Sequence, residues 1–137
     1  MLNTNLQSIV FYNLNKNEKI KSLNNLKLYI GSLCRISKLN NNEIAIAENK
    51  KIYLIDIKNY LILNEINTDY INDCILKLSN NLFLIGDDKG TIIQFKIENK
   101  KLIIESFKNN SHKYSIYSMT ILDNLIVSGS SNNEIKI

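Results

Sequence analysis

Short apolar segments recur along this chain and are separated by polar turns every eight to twelve residues. The segments are rich in β-branched Ile, and no window keeps the i, i+3, i+4, i+7 spacing of an amphipathic helix. The pattern predicts strands over residues 43–47, 51–57, 60–66, 73–78, 82–86, 91–97 and 102–107. The turns between them are too short for parallel crossovers, so neighbouring strands are expected to form antiparallel hairpins. The predicted fold class is all-β.

The same segments also repeat over a longer distance. Residues 9–14, 52–57 and 92–97 form similar apolar strands, and a fourth copy begins at Ile135, in steps of 43, 40 and 43 residues. A period in the low forties with several strands per unit is typical of β-propeller blades of four antiparallel strands. The predicted units are a partial blade over 8–24, blades over 33–66 and 73–107, and a partial blade over 115–137.

About three repeats do not close a propeller, which usually takes four to eight blades. An open arc would leave apolar blade faces and strand edges bare. Two hypotheses follow: the region is part of a larger propeller, or copies of the chain associate to complete one.

Composition adds little to this prediction. Asn, Ile and Lys make up 63 of the 137 residues. We attribute the bias to AT-rich coding sequence, because these three residues use the AT-richest codons. The alternative, a prion-like Asn tract, is disfavoured because apolar strands interrupt the Asn-rich stretches. Many of the Asn residues fall at predicted turns, where Asn tolerates positive φ.

The formal net charge of +4 comes with sixteen Lys and a single Arg, Arg35. The Lys residues are spread through the turns instead of lining one face, which favours a solvated surface over nucleic-acid binding. An RNA- or membrane-surface-associated propeller that uses this Lys-rich surface is kept as an alternative.

The cysteines and the N-terminal residues bear on localisation. Cys34 and Cys74 lie forty residues apart, at the same place in successive repeats and without metal-binding spacing, so they are expected to be buried free thiols in a reducing compartment. Residues 1–7 lack the basic start and apolar core of a signal peptide, and no apolar run is long enough to span a bilayer. An intracellular location, cytoplasmic or nuclear, is expected.

The last unit carries specific motifs. SHKYSIYSM (residues 111–119) resembles the Gly-His-x-x-x-Val-x-Ser-Val stretch that opens a WD repeat. IVSGSSNNEIKI (residues 126–137) is similar to the family's Ser-Gly-Ser-x-Asp-x-Thr-Ile-Lys-Ile, with Asn132 at the Asp position. In the preceding unit GDDKGTI (residues 86–92) matches the same turn, with Asp88 taken as its Asp, and Asp56 matches the Asp of the Trp-Asp pair.

The resemblance implies a structural role for these residues. In WD repeats a His, a Ser or Thr, the turn Asp and a Trp form a hydrogen-bonded set that ties an outer loop to the blade. By motif position, His112, Ser128 and Asn132 would supply three of these four groups. We assign His112 to this structural role, because no Ser, His or Asp is spaced as a nucleophile motif.

The function expected from the resemblance is non-catalytic. WD-repeat propellers serve as scaffolds for protein–protein interaction within larger complexes, so protein partners or self-association are expected, with no cofactor, metal or small-molecule substrate. Family position places the candidate partner-binding residues on exposed loops, at Tyr70, Asp87, Tyr114 and Ser131. A propeller-type hydrolase subunit is a further alternative, but one His and no cluster of ligands argue against it.

Overall fold

In the computed structural model, residues 9–23 and 34–137 are described, and these residues form strands and turns without a helix. The remaining residues, which include residues 8 and 24 of the first predicted unit and residue 33 of the second, lie outside the described ranges. The strands are β1 (Ile9–Asn13), β2 (Glu18–Leu23), β3 (Cys34–Lys38), β4 (Glu43–Glu48), β5 (Lys51–Asp56), β6 (Leu61–Asn67), β7 (Asn72–Lys77), β8 (Leu82–Asp87), β9 (Ile92–Glu98), β10 (Lys101–Lys108), β11 (Ile116–Leu122), β12 (Leu125–Ser130) and β13 (Ile135–Lys136).

These strands form four antiparallel sheets in which each strand pairs with its neighbours in sequence. Sheet I contains β1-β2, sheet II β3-β4-β5-β6, sheet III β7-β8-β9-β10 and sheet IV β11-β12-β13. The all-β prediction is confirmed, and the seven strands predicted between residues 43 and 107 are found with each bound within one residue of the prediction. The described residues contain no helix that could cross a lipid bilayer.

Asparagine occupies many of the turn positions that have a positive φ angle. Positive φ angles occur at Asn17, Asn49, Asn99, Asn110 and Asn133. All five lie in turns between strands. Asn pays a smaller steric cost in this region than most residues, so the Asn-rich turns match the chain reversals as the sequence predicted.

The central strands β4 and β5 of sheet II are buried on both faces, and the alternation of their side chains shows why. In β5, Ile52 and Leu54 belong to the core shared with sheet III, whereas Tyr53 and Ile55 pack with apolar residues of sheet I. Successive side chains of a strand point to opposite faces, so a continuous apolar run is needed where both faces are covered. Stacking of the sheets therefore explains the apolar runs that the sequence repeats.

Sheets III and IV pack in the same way. Cys74 and Leu84 of sheet III and Ile116 and Met119 of sheet IV form one buried cluster. Leu84 lies between Phe83 and Ile85, which belong to the core with sheet II. Sheet III therefore also presents an apolar face to each neighbour.

The two outermost sheets of the described stack have uncovered apolar faces. In sheet IV, Leu122 and Leu125 form a pair on the face opposite Met119, and both are more than half exposed. In sheet I, Val10 and Ile20 lie on the face opposite Phe11 and are also exposed. The stack thus ends in apolar surface on both sides.

The two cysteines do not occupy matching positions. Both are free thiols, but Cys74 is buried whereas Cys34 is exposed. In the strand pairing, Gly86 faces Cys74, while the corresponding Ala47 of sheet II faces Arg35. The prediction that both thiols are buried is wrong for Cys34, because a shift of one residue turns a strand side chain to the other face.

Candidate functional site

Five turns lie along one edge of the stack, because alternate hairpins of a meander reverse at the same edge. We call this edge the loop edge; it comprises the β4–β5 turn (49–50) and the β6–β7 (68–71), β8–β9 (88–91), β10–β11 (109–115) and β12–β13 (131–134) connections. Backbone hydrogen bonds join these turns to one another. The amide of Asp88 donates to Ile71 O over 2.9 Å, and that of Ser131 donates to Ser115 O over 3.0 Å.

Gly90 allows the closest approach between two of these turns. Its φ is +78°, and the amide of His112 donates to its carbonyl over 3.0 Å. A Cβ at this position would lie 2.1 Å from the carbonyl oxygen of His112. A residue without a side chain is therefore required where sheet III meets the loop that leads into sheet IV.

The imidazole of His112 is buried and bonded through both ring nitrogens. Nδ1 lies 3.1 Å from Glu134 Oε2, and Nε2 lies 2.8 Å from Ser128 Oγ. A carboxylate only accepts hydrogen bonds, so Nδ1–H donates to Glu134, and Nε2 shares the second hydrogen bond with the Ser128 hydroxyl. His112 and Ser128 therefore occur together as the family resemblance implied.

The third member of the predicted set is different. Asn132 is exposed, and its amide donates to Glu134 Oε2 over 3.4 Å rather than contacting the imidazole. Glu134, which stands where the family has Thr, supplies the acceptor instead. The ammonium of Lys136, 3.2 Å from Glu134 Oε1, is the main cause that lowers the pKa of this carboxyl. The sequence signal for Glu134 was present, because it is the only carboxylate in the last turn.

The assignment of Asp88 to the turn-Asp position is also corrected. Asp87 and Ser130 make equivalent turn bonds, accepting from Gly90 N and Asn133 N respectively. This places Asp88 opposite Ser131, so the residue that corresponds to Asn132 is Lys89. The Asp88 side chain instead accepts from the amide of Ile71 over 3.1 Å and fastens the β6–β7 loop.

Asp56 stabilises a turn at the opposite edge of sheet II. Its Oδ1 accepts from the amides of Lys58 and Asn59 over 2.8 and 3.0 Å, and its Oδ2 accepts from the Asn59 side chain. These bonds, led by the one from the Asn59 amide, lower the pKa of the Asp56 carboxyl. Its role in the structure is to hold the β5–β6 turn.

Asp87 was predicted to be a partner-binding residue exposed on a loop, and the predicted exposure is wrong. It is 0 % exposed, because its Oδ1 folds back to accept from the amides of Lys89 and Thr91 over 2.9 and 2.8 Å. Burial raises the pKa of its carboxyl. The other carboxylate oxygen, Oδ2, has no hydrogen-bond partner among the described residues.

The other three candidate partner-binding residues are exposed on the loop edge. Tyr70 is 43 % exposed and Tyr114 is 48 % exposed, and each directly precedes the residue whose carbonyl accepts the inter-turn bond described above. Ser131 is exposed beside Tyr114 in this arrangement, since Ser130 Oγ donates to the Tyr114 carbonyl over 3.1 Å. The two tyrosines therefore hold equivalent places on neighbouring sheets.

Asn72 is a structural residue that the sequence analysis missed. It is buried, and its side-chain amide donates to Asn49 O over 2.6 Å and to Thr68 Oγ1 over 3.0 Å. It thereby links the β4–β5 turn of sheet II to the start of sheet III. The sequence did carry a signal for this role: Asn72 is a polar residue at the first position of its strand, and the equivalent position of the next unit is the apolar Ile116.

No group of His, Cys, Asp and Glu side chains among residues 9–23 and 34–137 is arranged to hold a metal ion. Hydrogen bonds between the turns hold the loop edge in place, and two aromatic side chains, Tyr70 and Tyr114, are exposed on it.

No protein-family model matches the sequence, and no curated protein matches it. Solved structures do match. A chain described as "Crystal Structure of Mitotic Checkpoint Complex" is similar over 91 % of this chain, with a TM-score of 0.77 and 7 % sequence identity. The chain spans 40 % of the length of that protein.

A second similar structure is the computationally designed Ika4 protein, with a TM-score of 0.73 and 15 % identity over 94 % of this chain and 77 % of that one. At such identities the likeness shows the fold alone. The fold is all-β and β-propeller-like, built from several antiparallel sheets.

Proposed function

We propose that this chain is a non-catalytic scaffold for protein–protein interaction, a WD-repeat-like propeller subunit of a larger complex that recognises a protein partner through the loop edge. The observation that carries the proposal is the equivalent placement of Tyr70 and Tyr114 on two loops that are both hydrogen-bonded to the β8–β9 turn. Tyrosine offers a large rigid contact surface with a polar tip, which suits it to protein interfaces.

The rigidity of the loops supports this role. The bond from Asp88 to Ile71, the contact of Gly90 with His112 and the partners of the imidazole all fix the backbone that carries the two tyrosines. A surface whose loops are already ordered loses little conformational entropy on binding. The likeness to a chain of a multi-protein complex is consistent with a protein-binding role.

A second part of the proposal concerns what covers the exposed apolar faces of sheets I and IV. These faces resemble the buried inner faces of sheets II and III, so we propose that further blades or a second copy of the chain cover them. Size-exclusion chromatography with light scattering tests this, and a stable monomer of the 137-residue chain would contradict it.

An intracellular location, cytoplasmic or nuclear, belongs to the same proposal. It is supported by the two free thiols, which do not form a disulfide with each other. A disulfide-free chain is usual in compartments that keep thiols reduced.

The test of partner binding uses the two tyrosines. Proteins captured by the immobilised chain are quantified by mass spectrometry for the wild type, for the double variant Tyr70→Ala/Tyr114→Ala, and for Tyr12→Ala. Tyr12 is a matched control, because it is exposed but lies by the β1–β2 turn at the opposite edge. Specific partners should be lost with the double variant and kept with the control; equal capture by all three chains would contradict the proposal.

A further inference from the structure

The hairpin of sheet I is paired in the same way as the outer hairpins β5–β6 and β9–β10 of sheets II and III. The first pairs of the three hairpins are Ile9 with Leu23, Ile52 with Ile66, and Ile92 with Lys108. In each hairpin the register then shifts by one residue directly after the third pair. A bulge at the same step marks these hairpins as equivalent. Strands β1 and β2 therefore correspond to the third and fourth strands of a four-stranded sheet.

Sheet IV holds the other half of such a sheet. Its first two strands, β11 and β12, pair from end to end, as the first two strands of sheets II and III do. The third strand, β13, is joined to β12 only through the pairs of Gly129 with Ile135 and Ser128 with Lys136. The outer edge of β12 between residues 125 and 127 has no pairing partner among the described residues.

A cavity of about 450 Å³ marks the place of the outer strands beside sheet IV. Leu84 and Ile92 of sheet III and Ile126 of β12 line it, and the first two of these belong to the buried cluster between sheets III and IV. The cavity therefore continues an interface that is already formed. Between sheets II and III the same place is filled by the outer strands β6 and β10, where Leu102 N donates to Asn64 Oδ1 over 2.9 Å.

The number of repeats selects the molecule that supplies the outer strands. Sheets II and III are whole, and sheets I and IV hold complementary halves, which makes three units per chain. Sheets I and IV of one chain lie at opposite ends of the stack. Closed propellers have about four to eight blades, so one chain cannot close, two chains give six blades and three would give nine. A second copy of the chain therefore fits, and a third does not.

We propose that the 137-residue chain forms a two-fold symmetric dimer in which the β1–β2 hairpin of each copy completes sheet IV of the other. Strand β1 of the second copy takes the outer edge of β12 and displaces the two-residue β13. By the pairing of β4 with β5, Gly129 then faces Ile9 of the second copy, and Ile126 faces its Tyr12. This inference rests on the proposed covering of sheets I and IV, and recognition through the loop edge does not depend on it.

The surfaces that meet in such a dimer are apolar. Val10 and Tyr12, exposed in the single chain, would lie against sheet III of the other copy. Leu122 and Leu125 on the outer face of sheet IV would pack on sheet II of the other copy. Ile36 lies on the matching face of that sheet, beside the core shared with sheet I, and is more than half exposed. The exchange buries all of these side chains.

The first experiment measures the mass of the chain by size-exclusion chromatography with light scattering. The wild type should have twice the chain mass of 15.8 kDa. Val10→Glu should be monomeric at the same concentration, because the shared sheet would bury an unpaired carboxylate. Leu14→Glu is the matched control, since Leu14 is 90 % exposed in the β1–β2 turn, and it should remain dimeric. A monomeric wild type, a filament, or equal masses for the two variants would overturn the proposal.

Disulfide trapping tests the pairing itself, in a Cys34→Ser background that removes the exposed thiol. Tyr12→Cys/Ile126→Cys places two thiols on directly opposed positions of neighbouring strands, so oxidation should give a covalent dimer on non-reducing gels. Tyr12→Cys/Ile121→Cys is the control, because Ile121 lies on β11, one strand further away. That separation is about 10 Å, beyond the roughly 7 Å that a disulfide spans. All three positions are at least a third exposed, so the core should be kept.

The outcomes separate this inference from the proposed function. A dimer that the Tyr12→Cys/Ile126→Cys chain does not trap, or that the control traps equally well, overturns the hairpin exchange but keeps the covering of the apolar faces by a second copy. A monomer overturns both. Capture of partners by the loop edge is measured separately with Tyr70→Ala/Tyr114→Ala, and its failure leaves the dimer standing.

Discussion

Glu134 Oε2 lies 3.1 Å from Nδ1 of His112, so a carboxylate two residues beyond Asn132 holds the imidazole of the last unit. Together with Ser128 on the other ring nitrogen, it ties the β10–β11 loop to the hairpin of β12 and β13.

Ser128→Ala should lower the free energy of unfolding by about 1–3 kcal/mol, because it leaves Nε2 of a buried imidazole without a partner. Urea unfolding monitored by circular dichroism measures the change. Ser131→Ala, at an exposed position three residues away, should stay within about 0.5 kcal/mol of the wild type. Equal losses for the two variants would show that the imidazole does not need its hydroxyl partner.

The same assay separates Glu134 from Asn132. Glu134→Ala should destabilise the chain more than Asn132→Ala, because only the former removes the acceptor of the Nδ1 proton. The opposite order would assign the supporting role to Asn132, as the family resemblance first implied.

Gly86→Ala should destabilise the stack through overpacking between sheets III and IV. The added Cβ would lie 2.7 Å from Cys74 Sγ and 2.9 Å from Ile116 Cβ, and such crowding costs about 1–3 kcal/mol. Gly129→Ala is the matched control, since nothing lies within 4 Å of its added Cβ. Chemical denaturation of both variants should show a loss for Gly86→Ala alone, and similar values would refute the close approach of the sheets.

Asp87 should make the chain less stable as pH rises. Burial raises the pKa of this carboxyl above its usual value of 3.8, so the folded chain holds the proton more tightly than the unfolded chain. Its favourable contribution is complete below that usual value and is lost as pH rises through the raised pKa. The stability of Asp87→Asn relative to the wild type should therefore improve between pH 4 and pH 7 in urea unfolding.

Asp56→Asn provides the opposite case for the same measurement. The pKa of Asp56 is lowered by hydrogen bonds from Asn59, so its contribution is present above the usual value and disappears as pH falls through the lowered one. This variant should lose most relative to the wild type at neutral pH. Parallel pH profiles for the two variants would contradict the assigned environments.

The two thiols should differ in reactivity. Burial is the main cause that raises the pKa of Cys74 to about 12, whereas Cys34 is exposed. A thiol-disulfide reagent at pH 8 should therefore modify one thiol quickly and the other only after unfolding. Cys34→Ser should remove the fast phase and Cys74→Ser should keep it; equal rates for both thiols in the native chain would be inconsistent with this packing.

The strands could be predicted from the sequence, because a strand buried on both faces requires a continuous run of apolar residues and these runs repeat along the chain. Turn side chains were harder, because the match of residues 86–92 to the last turn rested on residue type alone. It placed Asp88 at the position of Asn132, whereas the hydrogen bonds place it opposite Ser131, one residue earlier. The partners of Asn72 lie on another sheet, and no local pattern records such a contact.

The apolar faces of sheets I and IV have a consequence for self-association. They belong to different sheets, one with two described strands and one with three, so a contact between them joins unlike surfaces and is heterologous. Successive copies added in this way would form a ring if their rotation closes and a helical filament if it does not. The curvature between stacked sheets thus decides whether such growth is self-limiting.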